Sequence, residues 1–250
     1  MITLFSYELT QTSLLLFLLV AFLIGMAKTG IHGTGILAVP ILALIFGGKD
    51  SSGLMLPMLI MADLFAVTYY HRHANWHFLR KLFPWAALGV VIGTFVGNEI
   101  DDELFKLIMG LIIFISLGIM IWMEKADKEK IPDYLWFAIL MGLLGGITSM
   151  VGNLAGAVMS LYLLSMRLPK NEYIGTAAWF FLGINLFKIP FHVYSWETIT
   201  VDSLLLNLTT LPFIALGGYM GVLLVKKISE IGYRWFIIGM TAVAAVFMVV

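Results

Sequence analysis

Lys28, Asp63 and Lys188 are the residues to which chemistry points first, because each stands in a long apolar stretch where an ionised group is costly and is functional by default. Around Lys28 the chain reads KTGIHGTGILAVP, residues 28–40, which sets three glycines, a histidine and two threonines into greasy sequence. A second interruption, TSMVGNLAG from Thr148, does the same in the other half of the chain. These residue types suit a small anion. Gly30, Gly33, Gly35, Gly152 and Gly156 let the backbone come close to a ligand and adopt positive φ. Thr29, His32, Thr148 and Ser149 can donate hydrogen bonds, and Lys28 adds a full positive charge. Thr34 and Asn153 are good N-caps for helices that restart at about Thr34 to Ile36 and Asn153 to Ala155. Each restart leaves free N–H groups and about half a unit of positive charge, so two of them facing one point make an anion site.

Each charged residue has a second reading. Lys28 could instead be an interfacial anchor whose head snorkels to the membrane surface. Asp63 could carry a proton during a transport cycle or be a hydrogen-bonded structural group, and its counterpart Asn185 cannot titrate. Lys188, one turn from Asn185, could pair with Asp63 or line a pathway. His71, His73 and His77 fall in a loop and are expected to face water rather than a metal.

The elements that position these residues follow from composition. Hydrophobic residues make up 61% of 250 and charged residues 12%, too little polar surface to cover a water-soluble globule. Helical spans need about 20 apolar residues, whereas a transmembrane barrel would show alternating segments of about ten, which this sequence lacks. Ten apolar segments are predicted: A at 12–28, B at 34–47, C at 52–70, D at 82–98, E at 104–123, F at 134–149, G at 153–166, H at 172–194, I at 203–225 and J at 232–250. The charged run EKADKEKIPD, residues 124–133, reads as a solvated linker between halves 1–123 and 134–250. Zero net charge implies no nucleic-acid partner, and the absence of cysteine removes disulfides and thiolate chemistry. The start, MITLFSYELTQ, lacks a basic region and a cleavage site, so the first apolar run is expected to be retained.

The halves resemble one another. Asp63-Leu64-Phe65 in C matches Asn185-Leu186-Phe187 in H, and LGVVIG from Leu88 in D matches LGGYMG from Leu216 in I. Equivalent loops carry opposite charge bias: HRHANWHFLRK between C and D is basic, and SWETITVD between H and I is acidic. By the positive-inside rule the repeats are inverted, with both termini outside and the linker inside. Six of the seven tryptophans (76, 85, 122, 136, 196 and 235) sit near predicted segment ends, where interfacial rings belong. Segments A and B together are short for two crossings, so A/B and F/G are expected to be helical hairpins that turn at partial depth with their glycine tips near the midplane. The fold expected is therefore an all-α polytopic membrane protein of two inverted five-segment repeats, each beginning with a Gly-tipped hairpin. Gly89, Gly93 and Gly97 are expected to allow close packing within or between subunits, the latter leaving room for a homo-oligomer. Prolines 40, 57, 84, 190 and 212 should kink or end segments.

GIHGTGILAVPIL, KDSSGLMLPMLIMADLF, TSMVGNLAG and NEYIGTAAWFFLGINLF together make the chain, from about residue 12 to 250, resemble the sulfite exporter TauE/SafE family of membrane permeases. The second break departs from the family's glycine-dense pattern by placing Asn153 and Leu154 after Gly152. The resemblance implies export of sulfite, sulfoacetate or related organosulfonates across a cell membrane, with the lipid bilayer as partner and no cofactor. Alternating access around the two tips is the mechanism expected. The alternatives are a channel-like anion facilitator and a non-transporting scaffold. Enzyme readings lack support, since HExxH, GxSxG and GxxxxGK[ST] are all missing.

Overall fold

Apolar sequence that must satisfy its own amides in hydrocarbon has helix as its simplest solution, and helix is what the chain forms. The structure is a computed structural model that describes residues 2–31, 35, 38–99, 134–249 and, between the last two stretches, 111, 114, 115, 117–119, 121 and 122. His32, Gly33, Thr34, most of segment E and the linker 124–133 lie outside the described residues.

The chain opens with a small antiparallel hairpin of β1 (Ile2–Leu4) and β2 (Tyr7–Leu9), paired Ile2 to Leu9, ahead of the helices that build the fold. Thr10 then caps α1 (Gln11–Lys28), its hydroxyl accepting the Ser13 amide at 3.0 Å. α2 (Ala38–Phe46), α3 (Gly48–Tyr70), a 3-10 turn (His71–His73) and α4 (Trp76–Glu99) follow. After the undescribed linker come α5 (Leu135–Gly152), α6 (Ala155–Ser165) and α7 (Lys170–Pro190). α7 runs into a π-helical turn (Phe191–Ser195), and α8 (Val201–Leu208), α9 (Leu211–Lys227) and α10 (Glu230–Val249) complete the chain. Among the described residues five helices are long and apolar enough to cross a membrane, and α8 with α9 forms a bent pair that would make a sixth span.

The arms of each expected hairpin are unequal. α1 and α5 have 18 residues each, about 27 Å of helix, whereas α2 has 9 and α6 has 11. The opening arm is long enough to cross and only the return arm is short, which differs from two equally shallow arms.

Segment I, expected as one helix, is α8 and α9 meeting at 51°. The hydroxyls of Thr209 and Thr210 bond back to the carbonyls of Leu206 at 2.7 Å and Asn207 at 2.6 Å, and Pro212 has no amide to offer. Trp196 is another correction: it is buried, its indole N–H donates to the Thr94 carbonyl at 3.3 Å, and its ring covers Gly97.

Packing is reciprocal between the halves. α1 lies on α9, and α5 lies on α4. Gly217 sits against the Phe22 carbonyl and Gly221 against Met26 and Thr29, while Gly89 sits against the Leu143 carbonyl and Gly93 against Ile147 and Met150. Each small-residue face thus receives the helix that opens the other half, at a separation only glycine permits. α3 and α7 run antiparallel across the centre: the Asn75 amide donates to the Thr176 hydroxyl at 2.9 Å near one end, Asp63 meets Asn185 in the middle, and Gly53 lies against Thr198 beyond the other end.

A Cβ at Gly146 would run into the Ala86 carbonyl oxygen, whereas Gly239 has open space around it. Gly146→Val should lower the stability of the purified protein in detergent by about 1–3 kcal/mol. Gly239→Ala should hold or raise it. Equal thermal midpoints for the two variants would show that the α4–α5 contact is not tight.

Candidate anion-binding site

Both breaks border one cavity of about 80 Å³, several times the 10–15 Å³ or so that one water requires. α1 contributes Lys28, the first break Gly35, the end of α5 Ser149, the second break Asn153, the start of α6 Gly156, and α7 Asn185 and Phe181. Ile24, Met55 and Leu59 supply apolar wall.

Lys28 is the last residue of α1 and its side chain is mostly out of solvent, 13% exposed. It ion-pairs with Asp63 at 2.9 Å and stands 4.0 Å from the centre of the Phe181 ring. Asp63 has no exposed surface, and its second oxygen accepts from the Asn185 amide at 2.6 Å. The paired residues are 122 apart in sequence and occupy matching positions of α3 and α7.

Lys188 is fully buried and does not pair with Asp63. Its Nζ donates to the Ser149 carbonyl at 2.9 Å, the Ser149 hydroxyl at 3.2 Å and Asn153 Oδ1 at 2.6 Å. An ammonium can donate to all three, and a neutral amine fits the same contacts with the Ser149 hydroxyl donating to its lone pair. All three acceptors are neutral. Among the described residues the buried cluster therefore holds two lysines and one carboxylate. With both lysines protonated the cluster carries one positive charge in excess, which is costly at this depth unless an anion joins it.

The second break differs from expectation in a specific way. Asn153 does not cap α6; it ends α5 in the left-handed region, φ 56°, with its amide bonded to the Ser149 carbonyl at 3.1 Å. Its side chain is a clasp, accepting from Lys188 and donating to the carbonyl and hydroxyl of Ser52 at 3.3 and 3.1 Å. Leu154, which has no capping group, precedes α6, so the first amides of that helix lack both intrahelical and side-chain acceptors, and Gly156 and Ala157 border the cavity.

Of the other residues named from sequence, Thr29 donates to the Gly25 carbonyl at 3.1 Å and packs on Gly221 rather than facing the cavity. Gly30 is in the left-handed region at φ 129°, and its carbonyl accepts the Tyr233 hydroxyl at 2.9 Å. Thr148 is buried and donates to the Gly145 carbonyl at 3.2 Å. Gly152 is buried in the last turn of α5. His71, His73 and His77 are exposed. Sequence reasoning missed Ser52, Phe181 and the Lys28–Asp63 pair. The last had a signal: two opposite charges at membrane depth in one repeat each need a partner.

The curated proteins include one short match, 41% identical over 44 residues, to the "Probable membrane transporter protein MamO" of Magnetospirillum gryphiswaldense. The match covers 18% of this chain and 7% of that protein's length. No solved structure matches the chain. The family comparison reaches much further, matching residues 17–248 to the family described as Sulfite exporter TauE/SafE. With its membrane-crossing helices and a match over nearly its whole length, this multi-pass membrane protein belongs to the sulfite exporter TauE/SafE family of membrane transporters.

Proposed function

We propose that the protein exports small sulfur-containing anions, sulfite, sulfoacetate or related organosulfonates, by alternating access, with the anion held between the two breaks. The observation that carries this reading is the pair of lysines sharing one carboxylate beside a small cavity bordered by both breaks. The arriving anion takes the Lys28 ammonium as its partner and receives the N–H groups at the start of α6, while Lys188 raises the local potential from behind Ser149 and Asn153. Asp63 is the stand-in partner that keeps Lys28 ionised and aimed when the cavity holds no substrate. A proton taken up by Asp63 as Lys28 swings to the anion would couple the two movements. Outward movement of an anion is in any case driven by an inside-negative potential, at about 2.3 kcal/mol per charge per 100 mV.

Inverted halves fit this scheme. α3 and α7, equivalent through their DLF and NLF sequences, run antiparallel, and each half's glycine face takes the opening helix of the other. Halves that grip each other in this reciprocal way can rock about the central α3–α7 crossing and open the cavity to either side in turn.

Thermal-shift measurements on the purified protein should show stabilisation by sulfite or a small sulfonate of about 2.7 kcal/mol at a hundred times Kd, and none by net-neutral taurine. A screen of sulfite, sulfate, sulfoacetate, thiosulfate and simple carboxylates without any shift would remove the anion site. Lys188→Met should keep the fold and lose the shift, and a full shift in that variant would exclude the excess charge as its source. Lys28→Ala alone leaves Asp63 buried without its cation, at about 3–5 kcal/mol. The informative variant is therefore Lys28→Met with Asp63→Asn, expected to recover stability without recovering anion binding. In proteoliposomes, Asp63→Asn should flatten the pH dependence of export, and an unchanged pH profile would exclude proton coupling through this residue.

A further inference from the structure

A second cavity, of about 550 Å³, lies at the surface beside the first turns of α4, and nothing in the transport site uses it. It is bordered by Trp76, His77, Arg80, Lys81 and Trp85 of α4, together with Leu135 at the start of α5. His77, Arg80, Lys81 and Pro84, which also borders the cavity, are spaced to lie on one face of the first three turns of α4. The same face continues as Leu88, Ile92 and Phe95, all three exposed large apolar side chains. Trp76 is itself exposed and meets Trp179 of α7 at 5.2 Å between ring centres with the rings tilted by 50°, which fixes one wall of the cavity.

The face therefore has a basic, aromatic-walled recess at one end and a bare apolar track leading away from it towards the middle of the bilayer. An amphiphile with an anionic head and long hydrocarbon chains has that shape. A soluble anion would use the recess and leave the track uncovered, and a soluble protein partner would meet the track inside hydrocarbon. Basic recesses between helices on the cytoplasmic side suit lipid phosphate groups, and loop charge places the 71–81 stretch on that side. Tryptophan and arginine are the residue types that hold a headgroup at the interface, through the amphipathic ring and the bidentate guanidinium.

The geometry points to a binding site for an anionic phospholipid of the cytoplasmic leaflet, its phosphate held by Arg80 and Lys81 between Trp76 and Trp85 and its acyl chains laid along Leu88, Ile92 and Phe95. The occupant tightens the contact between α4, which supplies the recess, and α5, which supplies Leu135. Because α4 and α5 belong to different halves, the lipid bridges the two bodies whose relative position the transport reading requires to change. The site itself stands independently of that reading.

Native mass spectrometry of the delipidated full chain in detergent tests it. Phosphatidylglycerol should bind roughly five- to thirty-fold more tightly than phosphatidylcholine of the same acyl chains, the gain that one or two basic contacts supply. The combined variant Arg80→Ala and Lys81→Ala should abolish that preference, and Arg80→Lys with Lys81→Arg should largely keep it. Equal binding of the two lipids, or a preference surviving in the alanine variant, overturns the site. Retention of inorganic phosphate or glycerol phosphate as tightly as the lipid would make it a soluble-anion recess instead, and overturns the lipid assignment. Should the alanine variant fail to fold, phosphatidylglycerol carrying a photoactivatable acyl chain decides the matter on the unaltered protein: labelling of residues 88–95 supports the site, and labelling confined to other helices overturns it.

Discussion

One carboxylate serving two buried lysines is the constraint on which the centre of this molecule depends. Asp63 can neutralise only one cation, and it takes Lys28. Lys188 is left with carbonyl, hydroxyl and amide oxygens, which solvate a positive charge without cancelling it. Much of the local structure is organised by that arrangement. Asn153 adopts a left-handed backbone and spends its side chain on Lys188 and Ser52, which ties the end of α5 to both α7 and α3. Ser149 turns its carbonyl and hydroxyl to the same ammonium. The second break is thus shaped as much by the lysine behind it as by the glycines within it.

The framework around this centre was legible in the sequence wherever a physical rule needs only local spacing. Gly89, Gly93 and Gly97 read as a close-packing face, and they lie against α5 and the Trp196 ring. The apolar run lengths located the spans, and the matched DLF and NLF triplets found residues that prove to touch. What escaped depended on competition between neighbours. Thr209 and Thr210 are unremarkable in an apolar window, yet their hydroxyls and Pro212 bend it. Trp196 sits where interfacial rings are common and is instead claimed by the Thr94 carbonyl. Asn153 looked like the start of a helix because its side chain suits an N-cap, but a lysine 35 residues away had the stronger claim on its oxygen.

The candidate site divides in the same way. Lys28, Gly35, Ser149, Asn153, Gly156 and Asn185 border the cavity, and Asp63 and Lys188 support them from behind. Thr29, Gly30, Thr148 and Gly152, chosen for the same chemistry, are absorbed in helix termini and in packing on α9 and α10. Residue type told which groups could meet a ligand. It did not tell which way each faced, because one residue along a helix is a turn of 100° or so.

The contact between Asp63 and Asn185 has a corollary for symmetry. These positions occupy matching places in two similar segments, and their side chains touch, so in an assembly of two identical half-length chains the contact would join a residue to its own copy. Two aspartates 2–3 Å or so apart would have to share a proton, and two asparagines would leave Lys28 with no counter-charge. Within one polypeptide the two positions can differ, so a single acid can face a single amide and still leave a charge for Lys28. The asymmetry at the centre is open to one continuous chain and closed to a pair of identical ones.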